Sequence, residues 1–452
     1  MVGPLSALGV MIWDAPIPPE VHGTMHRKSS FSRTSLVSLI SIFIAGSAAT
    51  LHAAHTCNPR DLGAKADGVT KDTAAIQESI DACAAKGGGT VQLTAGTYLS
   101  APIVLKSNIT LQLGKGATLL GSPDHADYPE ITEFRLPGIQ ALVSATNAEN
   151  VSITGEGTID GNGESWWQMA RTIRDAGVMG NPHPRPRLIV FDHCKHVRIE
   201  GVTIQNSPMW QVVPYYSDDV VIHNIRVLAP QHSPNTDAVD PFSSSNVHID
   251  HLYADVGDDD IAIKSGAINS PGGDDPSRDV TITDCTFLHG HGLSIGSEIA
   301  GGARNILAER IHFDGTDNGI RVKANRDRGN DVSNLVFRDI DMKDVKYPLV
   351  ISEYYPHILP EGAVEPAPVT RLTPHFHDIV FQNVTATGAT MAGAIVGLPE
   401  APVTGIVLKN LNLSGEKGLS IGYATVTGLD VKIEAAQGDA IIKMAGATVT
   451  FK

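Results

Sequence analysis

The sequence predicts an all-β fold: a single parallel β-helix over residues 55–452, covered at its N-terminal end by one helix. The main observation is a recurring motif, one polar residue followed by alternating aliphatic residues, whose copies mostly lie 23 to 33 residues apart. Each copy is too short to bury its own aliphatic side chains, so stacked copies must bury them in one continuous column. The copies begin at Asn108, Asn150, His196, Asp219, Asn246, Asp279, Asn305, Asn334, Asp378 and Gly405.

Composition and length agree with such a solenoid. The chain has 44 glycines and only 5% aromatic residues, which suits a turn-rich β protein, and its 42% hydrophobic residues are ample for a core. A solenoid accommodates 452 residues because it grows along one axis. The two rival repeat architectures fit less well, since a β-propeller needs a longer period with blade signatures and a leucine-rich repeat needs a persistent leucine frame.

The N-terminal residues 1–54 read as a leader. From Met25 a basic segment, His26-Arg27-Lys28, precedes an apolar run at 36–49 and small residues up to Ala54. This order is typical of a secretory signal peptide, and it indicates that translation starts at Met25. The run is short for a membrane span, although an N-terminal anchor is the alternative. We therefore expect a secreted or periplasmic protein that has no membrane association once the signal is removed.

The first predicted element of the mature chain is the covering helix. Thr73, Ile76, Ile80 and Cys83 recur at helical spacing, so they share one face. Asp72 is expected to cap the helix by accepting a bond from a first-turn amide, and the glycines at 87–89 end it. The helix would cover strand edges that could otherwise pair with another chain.

Four cysteines occur without a CxxC pair, so no zinc site is expected from them. In an exported protein one or two disulfides are compatible with this number, with Cys57–Cys83 as the first choice. Four buried free thiols are the alternative.

Two long inserts, roughly 163–187 and 354–374, interrupt the repeats and are expected to be irregular walls or lids. Trp166 and Trp167 in the first insert could stack on sugars, although we expect at least one of them to pack against the solenoid. Tyr354 and Tyr355 in the second could line a sugar subsite or pack.

Polar clusters are spaced along the central repeats. They are Asn235-Thr236-Asp237, Gly257-Asp258-Asp259-Asp260, Gly290-His291-Gly292 and Arg321-Val322-Lys323. Neighbouring coils lie about 4.8 Å apart, so Asp237, Asp258 and His291 can meet in one cleft. Hydrolysis of a glycosidic bond needs a protonated carboxyl and an ionised carboxylate, and crowded acids supply both.

The formal net charge of -15 disfavours nucleic acids and anionic membranes as partners. An acidic polymer would also be repelled, so its binding needs a local cationic patch. Arg321, Lys323, Arg326 and Arg328 could supply that patch.

In order and spacing, the four clusters resemble those of the polygalacturonases, a family of pectin-degrading glycoside hydrolases. The segments at 63–68, 157–161 and 261–266 also match, so the resemblance covers nearly all of the mature chain. It implies a right-handed parallel β-helix and inverting hydrolysis of α-1,4-galacturonosyl bonds without a cofactor.

The resemblance also implies roles for individual residues. Asp258 would be the general acid, Asp237 and Asp259 would hold and activate the water, and His291 would tune the protonation of the acid. The family usually has Cys after its paired acids, where this chain has Asp260. If this run is a strand, Asp258 and Asp260 share a face that Asp259 opposes.

Three further residues are expected to position the substrate. Arg321 and Lys323 would bind its carboxylate, for which an Arg fork is well suited, and Asn235 would help fix the site. Lys264 is expected to be structural or to lie at the rim of the site. No metal is expected at these positions.

Several functions stay open. The same scaffold could hydrolyse rhamnogalacturonan or xylogalacturonan, act as a pectate lyase, or bind glycans without catalysis. We favour galacturonan hydrolysis, and exo action slightly over endo action because the inserts could close one end of the cleft. The expected partner is a pectic polysaccharide or oligogalacturonide, and the expected state is a monomer.

Overall fold

A computed structural model describes residues 55–177 and 183–452 of the chain. The predicted leader, 1–54, lies outside these residues, so its signal peptide and the domain boundary stay predictions. No helix in the described part of the chain combines the length and the apolar character needed to cross a membrane.

The described residues wind into a parallel β-helix, which confirms the predicted fold class. Three parallel sheets run along it, and every coil between the first and the last contributes a segment to each of them. Sheet 1 consists of Thr56–Cys57, Gly89–Leu93, Ile109–Leu113, Glu149–Gly155, Lys195–Glu200, Asp218–His223, Ser245–Asp250, Ser277–Thr283, Ala303–Asp314, Asp331–Lys343, His375–Val396, Val403–Gly422, Ala424–Ala435 and Thr448–Phe451.

The other two sheets complete each coil, and the long strands of the last coils bend from one sheet into the next. Sheet 2 consists of Asp67–Lys71, Gly96–Ser100, Ala117–Gly121, Thr158–Asp160, Thr203–Gln205, Arg226–Leu228, Tyr253–Asp255 and Thr286–Phe287. Sheet 3 consists of Ile103–Val104, Val143–Thr146, Ile189–Asp192, Val212–Tyr215, Ile261–Ile263, Leu293–Gly296, Asn318–Lys323, Tyr347–Ser352 and Ile441–Lys443.

The repeat found in the sequence is the register of sheet 1. Val197 pairs with Val220, which pairs with Val247, and the next coils continue with Val280 and Ile306. These side chains point inward and are almost fully buried in one continuous core. The polar residue that opens each motif has a left-handed backbone conformation, with φ between 53° and 66°. Asn, Asp and Gly tolerate this conformation best, which explains their recurrence at the turn.

Helix α1, Thr73–Ala85, covers the first coils, and it buries Ile76, Ile80 and Cys83 as predicted. The proposed capping bond was wrong. Asp72 occupies the N-cap position, but its carboxylate accepts bonds from the amides of Lys65 (2.7 Å) and Ala66 (2.8 Å) in the preceding loop. The same carboxylate cannot also reach the first turn, so it ties the loop to the helix instead.

The Cys57–Cys83 disulfide is present and links the first strand to α1, as the first choice predicted. Cys194 and Cys285 are free and buried.

The first insert is less irregular than expected, because it contains helix α2, Glu164–Asp175. Trp166 and Trp167 lie on its buried face. Trp166 stacks on His125, and the indole of Trp167 donates to the carbonyl of Ser207. Both tryptophans therefore pack against the solenoid, and neither is available as a sugar platform. The second insert has no helix or strand between Ser352 and His375, as predicted.

Candidate active site

Sheet 3 brings the four polar clusters into one row. Asp237, Asp259 and His291 each lie two residues before a paired position of this sheet, and Arg321 lies one residue after one. The paired positions, one per coil, are Val239, Ile261, Leu293 and Ile320. The coil winding therefore brings Asp237 and His291, which are more than 50 positions apart in sequence, within two rungs of each other.

Asp259 is the most strongly held carboxylate of the row. One of its oxygens accepts bonds from Arg321 (2.6 Å) and Ser294 (2.8 Å), and the other accepts a bond from Lys323 (2.8 Å). Burial opposes ionisation of Asp259, but Lys323 and Arg321 outweigh it and hold its pKa far below the usual range. Arg321 and Lys323 therefore hold Asp259 in its ionised form.

Asp258 faces the cleft and pairs with His291. The Nδ1 of His291 lies 3.0 Å from Oδ1 of Asp258, and both side chains are only partly exposed. Burial raises the pKa of Asp258, but the hydrogen bond and charge of His291, together with the charge of Lys323, leave the pKa lowered. For His291, burial lowers the pKa and the bond to Asp258 raises it, with a net rise. The pair can therefore hold one proton near neutral pH, centred on the imidazole when no substrate is bound.

Asp237 is buried beside Lys264, whose Nζ lies 3.6 Å from its Oδ2. Burial, followed by the charges of Asp240 and Asp258, raises the pKa of Asp237 well above its usual value. Its Oδ1 makes no hydrogen bond within the described protein. One oxygen of Asp237 is thus left to a water molecule or a sugar hydroxyl.

Asp240 is a further acid of the site that was not predicted from the sequence. It lies three residues after Asp237, is fully buried, and neither of its carboxylate oxygens meets a hydrogen-bond partner among the described residues. Burial raises its pKa to about 8, although Lys264 opposes the rise. The Asp-x-x-Asp spacing was the available signal, because it places a second acid on the same rung as Asp237.

Lys264 is buried within the site, so of the two expected positions, structural or at the rim, the structural one fits. Its ammonium group lies between Asp237 and Glu298 (3.5 Å) and above the ring of Trp210 (4.7 Å). Burial lowers the pKa of Lys264, but Glu298 and Asp240 raise it more, so the net pKa is raised. Lys264 is thus a fixed positive charge that offsets part of the carboxylate cluster.

Asp260 has a different environment from the other acids of its cluster. It is fully buried and accepts a bond from the amide of Gly292 (3.0 Å), and burial raises its pKa well above the usual value. The expected alternation of faces does not hold, because the strand begins only at Ile261. Asp258 and Asp259 consequently both contact groups of the cleft, while Asp260 fastens one coil to the next.

Asn235 lies next to this row with a left-handed backbone, φ 58°. Its side-chain oxygen accepts a bond from Arg185 (2.6 Å), which also donates to the carbonyls of Pro208 and Pro234 (2.8 Å each). Arg185 thus links the end of the first insert to the loop that carries Asp237.

The cleft opens beside Asp258 and His291 as a cavity of about 320 Å³. Arg174 of helix α2 contributes positive charge to its lining, whereas Lys346 is paired with Asp317 (2.6 Å), which lies 3.7 Å from the Nε2 of His291. The cationic patch is therefore wider than predicted on this side. Arg326 does not contribute, because its guanidinium is paired with Glu400.

The second insert forms part of the cleft wall. The ring of Tyr355 lies over Lys323 (5.4 Å) and Arg328 (5.5 Å), whereas the hydroxyl of Tyr354 donates to the carbonyl of Gly397 (2.7 Å). Tyr355 therefore borders the site, and Tyr354 packs.

A hairpin fills the outer face of sheet 3 on the N-terminal side of the site. Its strands are Glu130–Glu133 and Leu136–Ile139, and Phe134 at its tip packs on Tyr215 (4.1 Å between ring centroids) and Phe242 (5.5 Å). Arg187 is sandwiched between the rings of Phe134 and Trp210 and pairs with Glu133. We call this hairpin, with Phe134 at its tip, the Phe134 plug. Because Phe242 is paired with Lys264, the plug ends directly beside the carboxylate cluster.

Ligand atoms of Asp258, Asp259 and His291 lie within 4.8 Å of one another, so distance alone would allow a cation. Both oxygens of Asp259 are already bonded to cationic side chains, Arg321 and Lys323. A metal ion here would have to displace these cations, so the charges favour a site built for an anionic substrate.

Comparison with known proteins agrees with this chemistry. Residues 83–433 match the family described as Glycosyl hydrolases family 28. This chain is a member of that family. It is a glycoside hydrolase with the right-handed parallel β-helix fold of the family's solved members.

The relatives of this family 28 protein include both cleavage modes. A probable polygalacturonase of Vitis vinifera is 32% identical over 80% of this chain and 74% of its own. An endo-polygalacturonase of Pectobacterium carotovorum is 30% identical over 80% of this chain and 89% of its own. The crystal structure of an exopolygalacturonase from Thermotoga maritima is 28% identical, covers 86% of this chain and 91% of that one, and superposes with a TM-score of 0.72. The family 28 assignment is therefore secure, while these relatives leave the cleavage mode open.

Proposed function

We propose that this family 28 enzyme is an exo-acting polygalacturonase that hydrolyses α-1,4-galacturonosyl bonds near the end of a pectic chain with inversion. The observation that carries the proposal is the position of the Phe134 plug, which ends directly beside the carboxylate cluster. A long polymer has no room to continue past it on that side, so a chain end fits the cleft better than a chain interior.

The proposed chemistry follows from how the acids differ. Asp258 is the only one of the three candidate acids that both faces the cleft and pairs with a proton-holding imidazole, which suits a general acid. The Asp258–His291 pair supplies the proton to the leaving oxygen. Asp259 stays ionised, and Asp237, whose pKa is raised, has an unpaired oxygen, so Asp237 can hold the attacking water beside the ionised Asp259.

The cations explain the preference for an acidic sugar. Arg321 and Lys323 each donate to Asp259; the side chain of Arg321 is 16% exposed, whereas that of Lys323 is only 6% exposed. Their remaining donors can bind a uronate carboxylate through charge-assisted bonds. Asn235 helps fix the loop that carries Asp237.

We also propose that the protein acts as a monomer outside the cytoplasm. The predicted leader and the Cys57–Cys83 disulfide both support an oxidising compartment.

The test is to follow polygalacturonate digestion in three ways: reducing ends, solution viscosity, and ultraviolet absorbance of unsaturated products. An exo-hydrolase releases short sugars with little loss of viscosity and no absorbance. Absorbance at the cleaved ends would show a lyase, and rapid loss of viscosity would show endo action. Asp258→Asn should abolish sugar release while binding of oligogalacturonide persists, which separates an enzyme from a non-catalytic binder.

A further inference from the structure

We propose that Asp331, His375 and His377 form a binding site for a divalent transition-metal ion of the Zn²⁺ class, away from the catalytic cleft. Asp331 and His375 are the first residues of two stacked strands of sheet 1. The register pairs Asp331 with His375 and Ser333 with His377, so the three side chains emerge at the same corner of two neighbouring coils.

The ligand atoms converge on one point. Oδ1 of Asp331 lies 2.9 Å from Nε2 of His377 and 3.5 Å from Nδ1 of His375, and all three atoms lie within 4.8 Å of one another. Four tetrahedral ligands at about 2.0–2.1 Å from zinc are roughly 3.3 Å apart. An ion can therefore enter by replacing protons on the imidazoles, with little movement of the backbone.

Neighbouring side chains also hold two of the ligands in position through hydrogen bonds. The hydroxyl of Ser333 donates to the second oxygen of Asp331 (2.9 Å), and the Nδ1 of His377 lies 2.7 Å from a carboxylate oxygen of Asp378. A carboxylate on the far nitrogen is the usual support of a metal-binding histidine, since it fixes the ring and the tautomer. Other surface histidines, such as His312 beside Asp341, contact a single carboxylate.

The donor set selects the metal. Two imidazole nitrogens and one carboxylate oxygen suit Zn²⁺, Cu²⁺ or Ni²⁺, whereas Ca²⁺ and Mg²⁺ prefer oxygen ligands alone. The side chain of His377 is 25% exposed and those of Asp331 and His375 are about half exposed, so the ion can reach the site and water can complete its coordination.

The position suggests what the ion would do. His375 is the first residue after the long insert that carries Tyr355, so the metal would tie the returning chain to the coil before it. An ion that binds only the folded coils stabilises them by mass action.

The test is zinc binding by the full, metal-stripped protein, measured by isothermal titration calorimetry and by thermal unfolding with and without ZnCl₂. We expect His377→Gln and His375→Gln each to remove one zinc equivalent and the matching rise in Tm. His312→Gln removes a surface histidine that contacts Asp341 and lies outside the proposed site. It should bind as much zinc, and gain as much in Tm, as the wild type. Because the result is the difference in bound zinc between the wild type and each variant, any zinc bound near Asp258 contributes equally to both and does not affect it.

Two further measurements make the outcome decisive. Co²⁺ should give the visible absorption of a four-coordinate nitrogen–oxygen site in the wild type and lose it in His377→Gln. Asp378→Asn, which keeps all three ligands, should weaken zinc binding about 10- to 100-fold. Zinc stoichiometry that is the same in the wild type and in His377→Gln, or a wild type that takes up no zinc, would overturn the proposal.

Discussion

The Nδ1 of His291 lies 3.0 Å from Oδ1 of Asp258, although the two residues are 33 positions apart in the sequence. They belong to consecutive coils, and the amide of His291 also donates to the carbonyl of Asp258 (2.8 Å). This pair holds the proton that is proposed to go to the leaving oxygen. The first prediction therefore concerns how the pair titrates with pH.

Replacing His291 should change the pH dependence of catalysis as well as its rate. The pKa of His291 is raised, so the shared proton is present below that pKa and is lost as pH rises through it. The activity of the wild type should therefore fall on the alkaline side. His291→Asn leaves the proton to Asp258 alone, which should move this fall to lower pH and reduce kcat by roughly 100-fold. The measurement is kcat against pH on oligogalacturonides.

The control for this variant is His289→Asn. His289 is two residues away and pairs with Asp255 instead of a candidate acid. It should keep the alkaline limb of the wild type. If kcat of His291→Asn falls at the same alkaline pH as kcat of the wild type, the proposed pairing of His291 with Asp258 is contradicted.

Arg321→Gln should weaken use of acidic substrates. The change removes charge-assisted bonds worth about 1.5–3 kcal/mol, so kcat/KM on polygalacturonate should fall roughly 10- to 150-fold. Steady-state kinetics on oligogalacturonides would measure it. Arg338→Gln removes the same charge from a half-exposed pair with Glu309 on sheet 1 and should have little effect. Equal losses in both variants would mean that only overall charge matters.

Asp240→Asn should change how stability depends on pH. The folded-state pKa of Asp240 is about 8, against an ordinary value of 3.8. Between these values the folded protein binds the extra proton, so the stability of the wild type falls as pH rises. The slope contributed by one such group is at most about 1.4 kcal/mol per pH unit. Asn does not titrate, so the variant should gain stability relative to the wild type between pH 5 and pH 8.

Urea unfolding of the wild type and Asp240→Asn at pH 5 and pH 8 would measure this difference. A stability difference that is constant with pH would show that Asp240 does not take up a proton on folding. Asp327→Asn, which alters a partly exposed acid, is a suitable control.

Phe134→Ala should open the groove. Loss of the ring removes the contacts with Tyr215 and Phe242, so a polymer could extend past the catalytic row. We expect a larger loss of viscosity for each reducing end released. Leu136→Ala on the same hairpin is the matched control, because Leu136 is 56% exposed. If both variants lose as much viscosity for each reducing end released as the wild type does, the plug does not determine the cleavage mode.

The Cys57–Cys83 disulfide should stabilise the N-terminal end. It closes a loop with a sequence separation of 26 residues, for which the chain-entropy estimate is roughly 3 kcal/mol. Cys57→Ser should lower the free energy of unfolding by about that amount, as measured by urea denaturation. Cys194→Ser changes a free thiol and should not reproduce the loss through this route. Equal unfolding curves with and without reductant would contradict the prediction.

Much of the fold could be predicted because a solenoid repeats a local pattern. The Asn or Asp that opens each motif has the left-handed conformation that its turn requires, and the aliphatic residues after it pair from coil to coil as their spacing indicates. Where one side chain had two competing partners, local reasoning failed. Asp72 accepts bonds from loop amides instead of from the first turn of the helix.

The sequence by itself determined the architecture and the row of acids, because coil period and motif order fix which residues share a rung. Only the tertiary structure decided how those acids differ. Asp259 is ionised because two cations from later coils reach it, while Asp240 and Asp260 keep raised pKa values because burial leaves them without such partners. The Phe134 plug likewise depends on a hairpin that folds back across three coils, a contact that no period in the sequence encodes.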